Sequence, residues 1–365
     1  MDKKRKMKAA VLFGPRDLRV VEKDIPIPND EEVLIKVEAC AICGSDIKIY
    51  EKPWDPHPSF GDYILGHEFS GTIVSIGKKV DEFITGDRVA IHVHKGCGRC
   101  ENCVKGMYTA CLNFGNIEKG HRVYGITVNG GFAQYVAVHI NNIYKLPKNV
   151  SFEQATLVTN AACGLYGLEV SKSHIINETI FITGPGPIGL MVVQLCKSMG
   201  AKKVILTGTR DYRLNLGEKL GADNIININK TNVFEEIKHI TNGRGVDLSV
   251  ECSGKESSLS NCISVTKRGG KIILLGNYDE LVTCDMSKVV KYHITMYGIR
   301  GEGDRACGRA LILMSQGKIH GDIFVTHKFN LDEIERAFLL YKNRIGNPVK
   351  VIVYPNLQKK KISVT

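Results

Sequence analysis

The sequence predicts an α/β protein in which a mostly-β first domain is followed by a doubly wound parallel sheet, and three observations predict it. Residues 1 to about 150 run as short, alternating apolar and polar segments punctuated by Gly, Pro and Asp. From about Ser151 onward, apolar strands alternate with amphipathic helical stretches. A glycine-rich turn, Gly184-Pro185-Gly186-Pro187-Ile188-Gly189, stands between the apolar run TIFIT and the helical run IGLMVVQLCKSMG.

In order along the chain, KAAVLF, EVLIKVEA, FSGTIVSIG, DRVAIHVH and GGFAQYVAV read as strands of the first domain. SFEQATLVTNAACGLYGLE reads as helix. ETIFITG, KKVILTG, VDLSVECSG and KIILLG then supply parallel strands, with GLMVVQLCKSMG and RLNLGEKLGAD as helices between them. After about Tyr297 the order is mixed: a helix near ACGRALILMSQG, another at LDEIERAFLLYK, and a final strand VKVIVY that is expected to return to the first domain. The expected divisions are 1–155, 156–297 and 298–365, with two crossings between the domains. There is no internal repeat of the kind that builds solenoids.

With 365 residues, 43% of them hydrophobic, the chain can bury a large core and suits two domains better than one. No apolar run approaches the roughly 18 residues that span a bilayer, and the basic start leads only into AAVLF, so a cytoplasmic protein without a membrane partner is expected. Twelve cysteines in such a chain point to thiolate metal ligation and ordinary buried thiols rather than disulfides. The formal charge of +11 sits partly in the terminal runs KKRKMK and QKKK, which read as solvated tails.

The glycine-rich turn has the physical logic of a dinucleotide site. Gly184, Gly186 and Gly189 permit a tight turn and close backbone approach, while Pro187 and Ile188 open a helix whose free N–H groups face the pyrophosphate. Enzymes that use NAD place an acid on the ribose hydroxyls about 20 residues on. Here that strand ends in Gly208-Thr209-Arg210, so the acid is missing, and Arg210 with Thr209 and Arg213 can bind a phosphate. That pattern favours NADP over NAD, although Asp211 stands close by.

Two cysteine-containing groups suit zinc. Cys97, Cys100, Cys103 and Cys111 form CxxCxxCx7C in a loop, a spacing that closes a tetrahedral structural site. A nucleic-acid-binding zinc protein is a distant alternative, since this lobe carries only Lys95, Arg99 and Lys105 and no recognition helix. Cys43-Gly44-Ser45-Asp46 and, after a loop, Gly66-His67-Glu68 supply a mixed ligand set of the kind that leaves a coordination position open for chemistry. Asp46 can accept the second ring N–H of His67 and fix its tautomer. In isolation Cys43 would be a core thiol and His67 a loop histidine. Their place ahead of both a four-cysteine loop and a nucleotide fold favours the ligand reading.

The motifs CGSD at Cys43, GHEFSGTI at Gly66, GDRV at Gly86, the four-cysteine lobe, GGFAQYV at Gly130, GPGPIG at Gly184, LGAD at Leu220 and RGGKIILLG at Arg268 follow one another in order. Over essentially the whole chain the sequence resembles the zinc-containing medium-chain alcohol, sorbitol and threonine dehydrogenases. The resemblance implies a GroES-like catalytic domain split around a Rossmann domain, with one catalytic and one structural zinc. It implies Cys43 and His67 as catalytic-zinc ligands and Glu68 as a ligand that exchanges with water or substrate. Ser45 would pass the alcohol proton outward, and Leu275, Gly276 and Ile299 would lie near the nicotinamide. The implied substrate is a small alcohol, polyol or sugar, and the implied assembly a homo-oligomer, tetramer ahead of dimer.

Two positions depart from the family pattern. A further catalytic-zinc ligand, commonly Cys, Asp or Glu, is Asn160 here, with Cys163 from a shifted loop or a water as alternatives. The histidine that often ends the proton relay is Lys48, which either releases a proton, attracts an anionic substrate or is a solvated surface lysine. The Asn160 departure keeps a zinc-free quinone or enone reductase of the same superfamily as the competing function. Trp54 and His57 in PWDPHPSF either line the pocket or form a Pro-rich surface turn.

Overall fold

The computed structural model describes residues 5–357, so QKKK and the start of KKRKMK lie outside the described residues. Lys6–Gly14 (β1), buried without a break from Ala9 to Leu12, forms an antiparallel hairpin with the more exposed Asp17–Asp24 (β2). Glu32–Ile42 (β3) is buried on nearly every residue, as a central strand covered on both faces is. A short helix, Gly44–Glu51 (α1), follows, then Tyr63–Ile64 (β4), Glu68–Ile76 (β5), Arg88–Ile91 (β6), Tyr135–His139 (β7) and Ile143–Lys145 (β8). The four-cysteine loop projects between β6 and β7, held by a two-residue ribbon pairing His94 with Val123 and Lys95 with Arg122.

Ser151 caps a single helical turn, Phe152–Ala155, by accepting from the Gln154 N–H. The helix predicted through this stretch therefore has two parts: Thr156 turns its hydroxyl back onto the Glu153 carbonyl, and the chain re-enters helix at Val158–Val170 (α2). Six strands then alternate with helices: Thr179–Thr183 (β9), Pro187–Ser198 (α3), Lys203–Gly208 (β10), Asp211–Lys219 (α4), Asn224–Asn227 (β11), Val246–Glu251 (β12), Thr266–Leu274 (β13) and Thr295–Gly298 (β14), with further helices between β11 and β14. All are parallel, in the order β11-β10-β9-β12-β13-β14. This is the doubly wound dinucleotide order, with its switch point between β9 and β12.

The chain ends in Val325–Asn330 (β15), a helix at Ile334–Asn343, and Lys350–Tyr354 (β16). β16 lies against β3, completing the mostly antiparallel sheet β8-β6-β5-β3-β16-β15, in which β7 also pairs with β3. Two compact units result: residues 1–159, 307–315 and 321–365 form one, and 160–306 with 316–320 form the other. The first is organised around Ile35, Val37, Phe69, Phe132, Phe338 and Val353, the second around Phe181, Ile205, Val246, Ile263 and Ile272. No helix among the described residues is long and apolar enough to cross a membrane.

Candidate active site and metal centres

The CGSD segment is the start of α1. Cys43 is its N-cap, in extended conformation, and the Asp46 carboxylate reaches back to accept the Cys43 N–H at 2.8 Å. The same fully buried carboxylate takes the Gly66 N–H at 3.3 Å and stands 3.2 Å from Nδ1 of His67. Asp46 therefore pins both ligand-bearing segments and directs the other ring nitrogen, Nε2, away from itself and to within 3.2 Å of the Ser45 hydroxyl. Gly66 is required where it stands: its φ is +92°, and a Cβ there would meet the Phe132 ring at 2.8 Å and Cys40 Sγ at 2.9 Å.

Ligand atoms of Cys43, His67 and Glu68 lie within 4.8 Å of one another. Burial opposes a charged His67, yet Asp46 and Cys43 outweigh it and push the imidazole pKa well above its usual value. The pocket thus attracts positive charge at the point where three donors converge, which is the field a divalent cation needs. A thiol, an imidazole and a carboxylate form a set that fits zinc.

Glu68 has a second partner. Lys350, buried in β16, places its ammonium against the Glu68 carboxylate, with both side chains 1% exposed. Burial alone would lower the lysine pKa, but Glu68 and Cys43 hold it above the ordinary range. Glu68 therefore has a buried ammonium as a partner in addition to its place beside Cys43 and His67.

The cysteine lobe is a second convergent set, with all four sulfurs within 4.8 Å. Burial would raise the Cys97 thiol, but the backbone N–H groups of Arg99 and Cys100 and the Asn113 amide lower its pKa to about 6. The N–H groups of Cys103 and Leu112 lower Cys100 as well, whereas burial raises Cys103 to about 12. The backbone already stabilises part of the thiolate charge, and four sulfurs at this separation fit a structural zinc.

In the other unit, the glycine turn follows β9. Gly184 has φ +83° and no room for a side chain against Ser253; a Cβ on Gly189 would meet the Gly184 carbonyl oxygen at 2.1 Å. Gly186 caps α3, Pro187 occupies its first turn, and Ile188 follows. At the end of β10 a Cβ on Gly208 would strike the Pro185 ring at 2.5 Å, so no acid fits there. Arg210 caps α4, with Thr209 exposed beside it and Arg213 one turn on. Asp211 is turned to Lys230 and Asn227, at 2.7 Å each. Leu275 and Gly276 follow β13 and donate their N–H groups to the Glu251 carbonyl, and the Ile299 N–H binds the Leu274 carbonyl.

Asn160 belongs to this second unit, 5% exposed in the first turn of α2. Cys163, one turn further, lies 4.0 Å from the buried Glu302 carboxylate. Lys48 is half-buried on α1. His57 stacks on Tyr63, with ring centroids 5.3 Å apart, and Trp54 packs against the core of the first unit, so both have packing roles.

Residues 29–148 match the family model of the alcohol dehydrogenase GroES-like domain, and residues 187–316 that of the zinc-binding dehydrogenases. The chain is 34% identical to the sorbitol dehydrogenase of Bacillus subtilis, over 96% of this chain and 98% of that protein. It is 36% identical to the L-threonine 3-dehydrogenase of Pyrococcus horikoshii, over 91% and 94% respectively. The chain belongs to the zinc-dependent medium-chain alcohol and polyol dehydrogenases. Among solved structures, a zinc-binding dehydrogenase of Sinorhizobium meliloti bound to NADP superposes with a TM-score of 0.88, at 29% identity and covering 96% of this chain and 100% of that one.

As a medium-chain dehydrogenase the protein is an NAD(P)-dependent oxidoreductase acting on CH–OH groups. Within this family frame, sequence reasoning missed two residues. Lys350 sits in an unremarkable strand, VKVIVY, and only the buried ion pair reveals it. Glu251, fully buried at the end of β12, is the other; a carboxylate in a central parallel strand buried along its whole length was the available signal.

Proposed function

We propose that this dehydrogenase moves a hydride between NADP(H), ahead of NAD(H), and a small alcohol, polyol or sugar and its carbonyl partner. The observation that carries the reading is the convergence of Cys43, His67 and Glu68 within 4.8 Å, oriented by a buried Asp46. Cys43 and His67, with Glu68 as the exchangeable member and Asn160 as the candidate further ligand, would hold a catalytic zinc; Cys97, Cys100, Cys103 and Cys111 would hold a structural one. Bound zinc supplies a Lewis acid that lowers the pKa of an alcohol. Asp46 fixes the His67 tautomer, and Ser45 accepts the alcohol proton and passes it outward, with Lys48 as the next group on α1.

Gly184, Gly186, Pro187, Ile188 and Gly189 cradle the pyrophosphate, while Leu275, Gly276 and Ile299 border the nicotinamide. NADP preference is supported by the closed space at Gly208, the position of Arg210 and Arg213, and the diversion of Asp211 to Lys230. Relatives named for sorbitol and threonine favour a CH–OH carbon flanked by other polar groups. The unit of residues 1–159, 307–315 and 321–365 would carry the catalytic domain and that of 160–306 with 316–320 the cofactor domain. A cytoplasmic homo-oligomer, tetramer ahead of dimer, fits a sheet whose edge strand β14 is open among the described residues, with Leu281 and Val290 exposed nearby in sequence.

Elemental zinc analysis of wild type and Cys43→Ala, with NADPH and NADH oxidation followed against ketoses and aldehydes, tests the reading. Two zincs per chain falling to one, with NADPH-dependent turnover abolished, is expected. One zinc in both proteins, or turnover indifferent to the substitution, moves the zinc-free reductase ahead.

A further inference from the structure

At the carboxyl edge of the parallel sheet, one side chain touches three loops. Glu251 ends β12 with 0% exposure, and five donors converge on its carboxylate. Oε1 accepts from the Thr183 hydroxyl at 3.2 Å, the Ser253 N–H at 2.7 Å, the Ser253 hydroxyl at 2.6 Å and the Gly254 N–H at 3.1 Å. Oε2 accepts from the same Gly254 N–H at 3.1 Å and the Tyr278 hydroxyl at 3.0 Å. Its own backbone carbonyl takes the N–H groups of Leu275 and Gly276.

These donors come from the last residue of β9 and from the loops after β12 and β13. Thr183 immediately precedes the glycine turn. Ser253 is the residue against which Gly184 is closed, at 2.9 Å from where a Cβ would stand. Gly276 is packed so that a Cβ would meet Glu251 Oε2 at 2.2 Å. In a doubly wound sheet the ligand lies across these strand ends at the switch point, here between β9 and β12. A buried carboxylate costs several kcal/mol unless fully hydrogen-bonded. Such a group at this edge fixes the relative positions of all three loops.

We propose that Glu251 is a positioning residue for the dinucleotide, tying the loops after β9, β12 and β13 into one preformed cradle. It acts through Ser253, Gly184 and Gly276 and not by touching the cofactor. The inference rests on the cofactor reading given above. Preorganisation of this kind appears in affinity, because a loosened rim must be ordered again on binding.

The test is direct titration of NADPH and NADH fluorescence on the zinc-loaded protein, wild type, Glu251→Gln and Ser253→Ala, alongside zinc content and steady-state kinetics. Glu251→Gln keeps shape but sets an NH2 among groups that are themselves donors; Ser253→Ala removes only the hydroxyl link and guards against a misfolded first variant. Expected for Glu251→Gln is a cofactor Kd and KM raised on the order of tenfold, equivalent to about 1.4 kcal/mol. The kcat at saturating cofactor should stay within threefold, with zinc content unchanged. Ser253→Ala should show a smaller change in the same direction. Folded variants that bind within twofold of wild type overturn the clamp and leave the cofactor reading standing. A wild type that binds neither nucleotide overturns the cofactor reading, and the clamp with it.

Discussion

Lys350 is the buried ammonium partner of the Glu68 carboxylate, so it bears on how readily Glu68 can serve a metal. Removing one member of a buried pair leaves an uncompensated charge and costs about 3–5 kcal/mol. Lys350→Met should therefore destabilise metal-depleted protein more than zinc-loaded protein, since zinc then becomes the remaining counter-charge. Thermal melts with and without chelator read the difference; equal losses in both states would break the link between Lys350 and the metal position. Arg210 lends itself to a cleaner test, because the ribose 2′-phosphate it is proposed to bind exists only on NADP. Arg210→Ala should raise KM for NADPH ten- to a hundredfold and leave KM for NADH within threefold, as steady-state assays would show. Cys43, His67 and Glu68 were legible as a group from their place ahead of a four-cysteine loop and a nucleotide fold, and their ligand atoms lie within 4.8 Å of one another. Lys350 was not, since its partner lies 282 residues away in sequence and no local pattern records the pairing.

Between Lys95 and Arg122 the cysteine lobe buries only Thr109, Cys111 and His121. The helix Glu101–Val104 within it buries no side chain, so the lobe depends on its four sulfurs for shape. Cys100→Ser should release one zinc per chain, seen by elemental analysis, and open the loop between Lys95 and Arg122 to limited proteolysis; a variant still protease-resistant would show that the ribbon and turns suffice. The edge of the parallel sheet opposite the cofactor relies on Asp247, whose nearly buried carboxylate takes the Thr179 N–H at 2.7 Å and meets Lys267 and Arg244. Burial opposes its charge, but Lys267, the Thr179 N–H and Arg244 hold its pKa below the usual carboxylate value. A depressed folded pKa gives stability that is present above the unfolded value near 3.9 and is lost as pH falls through the folded one. Asp247→Asn should thus cost about 1–3 kcal/mol at pH 7, a deficit that shrinks below roughly pH 4 in denaturant titrations. Most strands were legible from alternation and β-branched content. Asp17–Asp24 escaped because most of DLRVVEKD is charged, and the break at Thr156 escaped because it rests on one hydroxyl rather than on composition.

For the whole molecule, two compact units with different stabilising ligands should respond separately. Scanning calorimetry is expected to show a chelator lowering the transition of the metal-bearing unit and NADPH raising that of the other, by about 2.7 kcal/mol at a hundredfold excess over Kd. One transition displaced equally by both reagents would mean that the units melt as a single block. The split of the first unit around the second was legible only in outline. Sequence pattern shows a strand at VKVIVY but not its neighbours, because the register of a distant pair is set by the packed sheet.

The position of β16 between β3 and β15 also imposes an order of events on biosynthesis. Glu68 leaves the ribosome long before Lys350, with the entire nucleotide-binding unit translated in between. Until that last strand inserts, the Glu68 carboxylate has no ammonium to cover it, so closure of the sheet by β16 is the step that completes its charge compensation.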